Sequence, residues 1–270
     1  MKVSLIIPTY NRDEYLVDTL KCALLQNFDD YEIIVVDQSS QHKAETHLFF
    51  EKYKDQLIYL RSETPSLTLA RNIGVNASRG EVIIMVDDDT LFNENFIREH
   101  WDAHQKGFDV VSGRVEEGLL KTSKRPIWFN KWGRYIGSEN CPVNGSTNKL
   151  AGCNGSFKRK VFDSIGGFDE RFIKMANCED ADFGYRAFTA GYKITFIALA
   201  EVNHRKAYDG GAGNRNKYLY LDQAYYQNRF YFTKKNFPAY ALLYLRLRLI
   251  IKGMKAAYQL VKSAEKEAMH

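Results

Sequence analysis

Four cysteines are all that this chain of 270 residues contains, and Cys22, Cys141, Cys153 and Cys178 show neither a C-x-x-C nor a zinc-ribbon spacing. That excludes a disulfide scaffold and reads as reduced, structural thiols in a cytoplasmic protein. No signal peptide is expected, because the first apolar stretch stops at Pro8 without a small-residue cleavage site. No G-x-G-x-x-G follows that stretch and no G-x-x-x-x-G-K-[ST] occurs anywhere, so dinucleotide-dehydrogenase and P-loop readings fail. Internal repeats and long low-complexity tracts are missing too. With 45% hydrophobic and 26% charged residues, the composition excludes both a disordered tail and a polytopic membrane protein.

Charge is uneven along the chain. Lys234, Lys235, Arg246, Arg248, Lys252, Lys255, Lys262 and Lys266 face only Glu265 and Glu267 in the C-terminal stretch, which therefore accounts for the whole net charge of +5. The near-neutral remainder argues against nucleic acid as a partner.

Short β-branched runs alternate with helical patterns over the first ninety residues. Val3 to Ile7 reads as a strand buried on both faces, and Leu16, Leu20, Ala23 and Leu24 recur at helical spacing after it, with Asn11 and Asp13 as candidate N-caps. Tyr31 to Val36 repeats the strand signature and ends in Asp37. A polar helix from about His42 to Lys54, a strand Leu57 to Leu60, a helix around Leu67 to Ala77 and a strand Val82 to Val86 follow, the last running into Asp87-Asp88-Asp89. Such alternation predicts an α/β fold with a mainly parallel sheet, whose ligands sit at the carboxyl ends of the strands. Asp37 and the triple aspartate occupy two such ends. Later segments predict a helix through His104, strands near Asp109 to Gly113 and Tyr192 to Ile197, and a helix Ala181 to Ala190 behind Glu179-Asp180. Gly210, Gly211 and Gly213 read as a flexible loop, and a helical part begins near Leu219.

Three carboxylates at one strand end repel one another unless a cation screens them, and hard divalent cations prefer oxygen ligands. A turn that caps the next helix is the competing reading of the same residues. His204, after a strand and before a glycine loop, suits manganese as well as it suits packing. Glu179-Asp180 offers either a helix cap or a general base for a hydroxyl nucleophile. Arg71 reads as a phosphate or nucleobase contact, or as an ion-paired residue. A nucleotidyltransferase would use similar carboxylates, but Pro8-Thr9-Tyr10-Asn11-Arg12 replaces its usual glycine-rich basic loop.

Taken in order, "SLIIPTYNR", "EIIVVDQSS", "LARNIGV", "GEVIIMVDDD", "GCNGSFKRKVFDSIGGFDE", "CEDADFGYR" and His204 resemble the family 2 glycosyltransferases of the GT-A fold. The resemblance spans most of residues 1 to 205. It implies a Rossmann-like nucleotide-binding domain with a mixed, mainly parallel sheet, and an inverting, metal-dependent transfer of a sugar from a nucleotide diphosphate donor, with UDP favoured. By that resemblance Pro8, Thr9, Tyr10, Arg12 and Asp37 shape the nucleotide pocket, with Arg71, Asp87 and Asp88 beside the nucleotide sugar. Asp89, Asp87 and His204 hold Mn2+ or Mg2+, and Asp180, with Glu179, supplies the base. Gln38 and Thr90 stand where many relatives carry a further aspartate, which bears on the choice of base and sugar. A noncatalytic nucleotide-sugar-binding subunit is the competing class.

The expected organisation is a catalytic domain over residues 1–214 and a basic, amphipathic helical segment over 215–270. Leu242, Leu249, Ile250, Met254 and Val261 share one helical face there, with Arg248, Lys252, Lys255, Lys262 and Lys266 on the other. That pattern fits either peripheral contact with an anionic membrane, with a lipid-linked saccharide as acceptor, or packing on protein, including a second copy of the chain. Trp128, Trp132 and Asn154 are candidate acceptor contacts.

Overall fold

The computed structural model describes residues 1–118, 121–174, 176–205, 223–251 and 253. Strands β1 (Val3–Thr9), β2 (Tyr31–Asp37), β3 (Leu57–Arg61) and β4 (Val82–Val86) pair in parallel in the order 3-2-1-4, with helices α1 (Asp13–Leu24), α2 (Ala44–Tyr53) and α3 (Leu67–Ala77) as crossovers. After β5 (Thr90–Phe92) and α4 (Phe96–Gln105), β6 (Val110–Glu116) rejoins the sheet through an antiparallel strand, β10 (Asn154–Lys158), which pairs with both β4 and β6. Between them lie the short strands β7 (Trp128–Phe129), β8 (Tyr135–Ile136) and β9 (Gly145–Ser146). Helices α5 (Arg159–Ile165) and α6 (Glu179–Thr189) lead to β11 (Ile194–His204), which runs parallel to β6 and antiparallel to β5. The last labelled helix is α7 (Gln223–Asn236), and a further helix covers 239–251.

Alternation along the strands divides the core. Val3, Leu5 and Ile7 of β1 face Leu16, Leu20, Phe96 and Ile97 on one side, whereas Ile6 faces Ala70, Val75, Phe157 and Phe183 on the other. A Cβ on Gly74 would sit 2.5 Å from Ile6 Cγ2, so glycine there lets α3 lie close against β1. A third cluster, Phe129, Phe172, Ala181, Phe232 and Phe237, seats α7 on α6 and on the β7–β8 hairpin.

Several expectations change. Neither Asn11 nor Asp13 caps α1: Arg12 holds the cap position without a side-chain bond, Asn11 adopts φ 55°, and the Asp13 carboxylate instead binds His42 and the Lys43 N–H. The strand expected to stop at Ile197 continues to His204 across an irregularity after Ile197. Asn154 is buried in the sheet, bound to His100 and to the carbonyls of Arg114 and Ala200, which removes it from the acceptor candidates. Along 239–251, of the expected apolar face Leu242 and Leu249 are half-buried and Ile250 is exposed, and Leu243, Leu247 and Ile251 are exposed as well, so the open surface only partly coincides with that face. The 214/215 boundary, the glycine loop, Met254, Val261 and the lysines beyond 251 lie outside the described residues.

Candidate functional site

Strand ends assemble the first part of the site. Pairing of β11 with β5 sets His204 opposite Thr90, and the Arg205 N–H donates to the Asp89 carbonyl at 2.9 Å. One ligand atom each from Asp87, Asp89 and His204 then falls within 4.8 Å of the others. His204 Nε2 lies 3.1 Å from Asp89 Oδ1, yet no hydrogen bond of good geometry reaches that buried nitrogen. Its Nδ1 meets Glu117 Oε2 at 3.1 Å, the carboxylate–imidazole arrangement that orients a ligand histidine. Two carboxylates and an imidazole that converge in this way fit a hard divalent cation such as Mn2+ or Mg2+. Burial lowers the His204 pKa, but Asp89 and Glu117 outweigh it and raise the group to about 9.

Asp88 turns inward, contrary to the expectation of a donor contact. Its Oδ1 accepts from Arg12 Nη1 at 2.9 Å and its Oδ2 from Thr9 Oγ1 at 2.7 Å, so it braces the β1–α1 loop from behind. Burial, with Asp89 adding, raises its pKa to about 6 against the pull of Arg12. Arg12 also reaches Asp89 Oδ2 at 3.3 Å, and Asn11 N–H binds Ser39 Oγ at 2.8 Å, which joins the loops after β1 and β2. Pro8 is buried under that loop and Tyr10 is half-buried beside it.

Asp37, at the end of β2, is buried and richly bonded. Oδ1 accepts from the Ser39 N–H at 2.8 Å, while Oδ2 accepts from Tyr59 and lies 2.6 Å from His42 Nε2. The other ring nitrogen of His42 lies 2.6 Å from Asp13 Oδ1, so the imidazole is clasped between two carboxylates. Burial opposes protonation of His42, but Asp13 and Asp37 prevail and raise its pKa. An open depression of about 630 Å³ borders this chain, lined by Asn11 to Tyr15 and Ser40 to Lys43. Gln38, in place of a second aspartate, donates its amide to the carbonyls of Thr64 and Ser66 and so fixes the approach to α3.

The second part of the site is the start of α6. Lys174, Ala176 and Cys178, shortly before Glu179, have left-handed φ of 55°, 48° and 79°. Arg71, on α3 and 2% exposed, lies between the two parts. Its guanidinium pairs with Glu179, donates to Asp87 Oδ1 at 3.2 Å, and donates to the Gly152 carbonyl at 3.1 Å. A Cβ at Gly152 would sit 2.8 Å from Arg71 Nη2, so this approach needs glycine. Asp180 Oδ2 accepts from the Gly152 N–H at 3.0 Å and from Lys149 Nζ at 2.9 Å. Asp87 and the Glu179-Asp180 pair are therefore joined through Arg71 and Gly152.

Adjacent carboxylates in different surroundings titrate apart. Burial and the neighbouring Asp180 charge raise Glu179 against the pull of Arg71. Burial also opposes ionisation of Asp180, but the Lys149 ammonium, Arg71 and the Ala181 N–H overcome it and lower the pKa. Of the two, Asp180 is the more readily ionised.

Lys149, Glu139, His42 and Glu117 belong to no motif read from the sequence. Lys149 and Glu139 come from the irregular stretch before β10, where short polar segments carry no periodicity. Trp128 is half-buried with its ring centroid 5.3 Å from that of Phe188, and the exposed Trp132 packs on Tyr240 at 4.8 Å and Tyr244 at 5.6 Å.

Comparison with known proteins bears on the family and the fold. Residues 4–166 match the family model described as glycosyl transferase family 2, and residues 133–208 match one described as the N-terminal domain of galactosyltransferase. The chain is 25% identical over 221 residues to the glucosyl-dolichyl phosphate glucuronosyltransferase of Haloferax volcanii, covering 76% of this chain and 69% of that protein. It is 32% identical over 210 residues to glycosyltransferase GlyG of Streptococcus pneumoniae, covering 72% and 67%. Among solved structures, S. aureus TarS 1-349 in complex with UDP-GlcNAc is similar with a TM-score of 0.65 at 20% identity, over 86% of this chain and 66% of that one. GalNAc-T7 with UDP, GalNAc and Mn2+ reaches 0.64 at 16% identity, over 76% and 44%. At these identities the structural likenesses bear on the fold, which is that of the GT-A glycosyltransferases.

Proposed function

The chain belongs to the family 2 glycosyltransferases, and on that premise we propose that it moves a sugar from a nucleotide diphosphate donor, a UDP-sugar foremost, to an acceptor hydroxyl with inversion at the anomeric carbon. The observation that supports this reading is the Arg71 bridge, which joins the cation-binding corner to the carboxylate pair. Asp87, Asp89 and His204 would hold Mn2+ or Mg2+, which when bound supplies Lewis-acid stabilisation of the charge on the departing diphosphate. Pro8, Thr9, Tyr10, Arg12 and Asp37 form the nucleotide side, with Asp88 bracing it and Arg71 behind the diphosphate. From the opposite face Asp180 takes the proton of the acceptor hydroxyl while the new carbon–oxygen bond forms and the bond to the diphosphate breaks. Glu179 keeps Arg71 in place.

The acceptor in this reading is a saccharide or lipid-linked saccharide of cell-surface polysaccharide synthesis. The name of the Haloferax relative specifies a glucosyl-dolichyl phosphate, a lipid-linked sugar. Among the described residues no helix is long and apolar enough to cross a membrane. The exposed Leu243, Leu247, Ile250 and Ile251, with Arg246 and Arg248 on the same helix, fit peripheral contact with an anionic surface.

The test pairs two variants. Asp180→Asn should nearly abolish sugar transfer while Mn2+-dependent UDP binding stays within a few fold, because it removes a proton acceptor and no donor contact. Asp89→Ala should weaken calorimetric UDP binding in Mn2+ and leave the metal-free titration unchanged. Near-normal turnover in the first variant would overturn Asp180 as the base, and identical titrations with the second would overturn Asp89 as a ligand.

A further inference from the structure

Lys149 is the least expected charge in the site. Its side chain, 12% exposed, sits on the loop before β10 with Nζ against the Glu139 carboxylate and 2.9 Å from Asp180 Oδ2. Oδ2 also accepts the Gly152 N–H at 3.0 Å, and Oδ1 accepts the Ala181 N–H at 2.6 Å. An ionised carboxylate offers about four acceptor positions. Among the described residues three are filled, two on Oδ2 and one on Oδ1.

We propose that Lys149 is a positioning residue of sugar transfer: its ammonium, shared between Glu139 and Asp180, fixes Oδ2 and leaves Oδ1 as the oxygen that meets the acceptor hydroxyl. The inference rests on Asp180 being the proton acceptor. Without the ammonium, Asp180 loses both an orienting bond and the charge that keeps it ionised. With the ammonium wholly its own, it would be a poorer base, and Glu139 moderates that by taking part of the charge. The other groups that face Asp180 are Glu179 and Cys178 at the start of α6, Arg71 on α3 and Cys153 beside β10. Burial raises both thiols, which stay neutral, and Arg71 stays cationic, its carboxylate neighbours prevailing over burial. Removing Lys149 therefore changes one charge around Asp180 while the two thiols and Arg71 stay as they are, and Glu179 titrates together with Asp180.

Two readouts test the proposal on the full chain. Carboxyl 13C NMR of aspartate-labelled protein, with Asp180→Asn identifying the resonance, follows Asp180 directly and needs no substrate. UDP release from UDP-glucose, UDP-GlcNAc and UDP-glucuronate in Mn2+, with water as acceptor, follows turnover. In Lys149→Met the Asp180 titration and the acid limb of UDP release should both move up by about one pH unit, the lower end of what an adjacent opposite charge does to a carboxylate. kcat should fall at least ten-fold while KM for the donor changes less than three-fold. Lys149→Arg keeps the charge and should keep the limb in place. Lys149→Met/Glu139→Gln removes the ammonium together with its outer carboxylate and gives the same reading should the single variant fold poorly. In an Asp180→Asn background, Lys149→Met should add nothing to the loss. An unmoved Asp180 titration with Asp180→Asn inactive would overturn the role of Lys149 alone, whereas an active Asp180→Asn would overturn the base assignment on which it stands.

Discussion

Removing Arg71 should cost more stability than any other single change in the site. Its guanidinium lies between Glu179, Asp87 and the Gly152 carbonyl, and its carbon lies 5.4 Å from the centroid of the Phe168 ring. Arg71→Met keeps the aliphatic stem and its contact with Phe168, so the loss is almost wholly polar. Glu179, 6% exposed, has no route to water, whereas Asp87 at 19% regains part of its hydration. Stranding one member of a buried ion pair costs about 3–5 kcal/mol, and the partial rehydration of Asp87 keeps the sum in that range. With a urea slope of about 2–3 kcal/mol/M, the unfolding midpoint should fall by about 1–2.5 M. Thermal unfolding should fall by roughly 6–20 °C. The assay is urea unfolding of wild type, Arg71→Met and Arg71→Met/Glu179→Gln, followed by circular dichroism. The double variant should recover part of the loss, because it removes the stranded charge. A midpoint shift below about 0.5 M, or no recovery in the double variant, would refute the bridge as a buried electrostatic strut.

Two further outcomes follow from groups away from the chemistry. His100 and His104, buried on α4 and bonded to Ser156, are held neutral by burial, which lowers them from 6.5 to about 3 and about 4. Below pH 6.5 the unfolded chain binds protons that the folded state refuses, so each histidine withdraws about 2 kcal/mol by pH 5. Wild type should therefore lose about 2 kcal/mol more than His104→Gln between pH 7.5 and pH 5, and parallel pH profiles in urea titrations would dispose of the idea. Leu243→Ser/Leu247→Ser/Ile250→Ser should abolish co-sedimentation with anionic liposomes without lowering the melting temperature, since those side chains are exposed; unchanged sedimentation would remove the helix from that role. Cutting the chain before Phe237 is not an equivalent test, because Phe237 is part of the aromatic cluster that seats α7.

The strand-and-helix alternation up to Val86 was legible because buried parallel strands are continuous apolar runs, and α3 falls at Leu67–Ala77 as its periodicity predicts. Asp87, Asp89 and His204 are grouped by the family resemblance, and the long strand β11 is what brings His204 beside Thr90. What could not be read is the strand between β4 and β6. "NGSFK" is short, with glycine and serine at positions packed against neighbouring strands, and nothing local announces its antiparallel pairing. Lys149, Gly152 and Cys153 are placed by that strand, so the surroundings of Asp180 were hidden with it. His42 escaped notice for a related reason: it reads as the first residue of a polar helix, whereas it stands before α2 and binds Asp13 and Asp37 across two loops.

Two neighbouring carboxylates at one helix start would ordinarily be interchangeable, and here two buried cations make them different. Arg71 approaches from α3 and takes Glu179 together with Asp87, so that carboxylate is spent on holding the cation-binding corner against α6. Lys149 approaches from the loop before β10 and takes Asp180 together with Glu139. Each cation thus serves one α6 carboxylate and one carboxylate from elsewhere. Exchanging the two residues, as Glu179→Asp/Asp180→Glu, keeps the net charge and both hydrogen-bonding groups. It shortens the reach to Arg71 by one methylene and pushes the other carboxylate that much further toward Lys149. If side-chain length matched to two fixed cations is what divides the roles, the exchange should cost transfer far more than it costs folding.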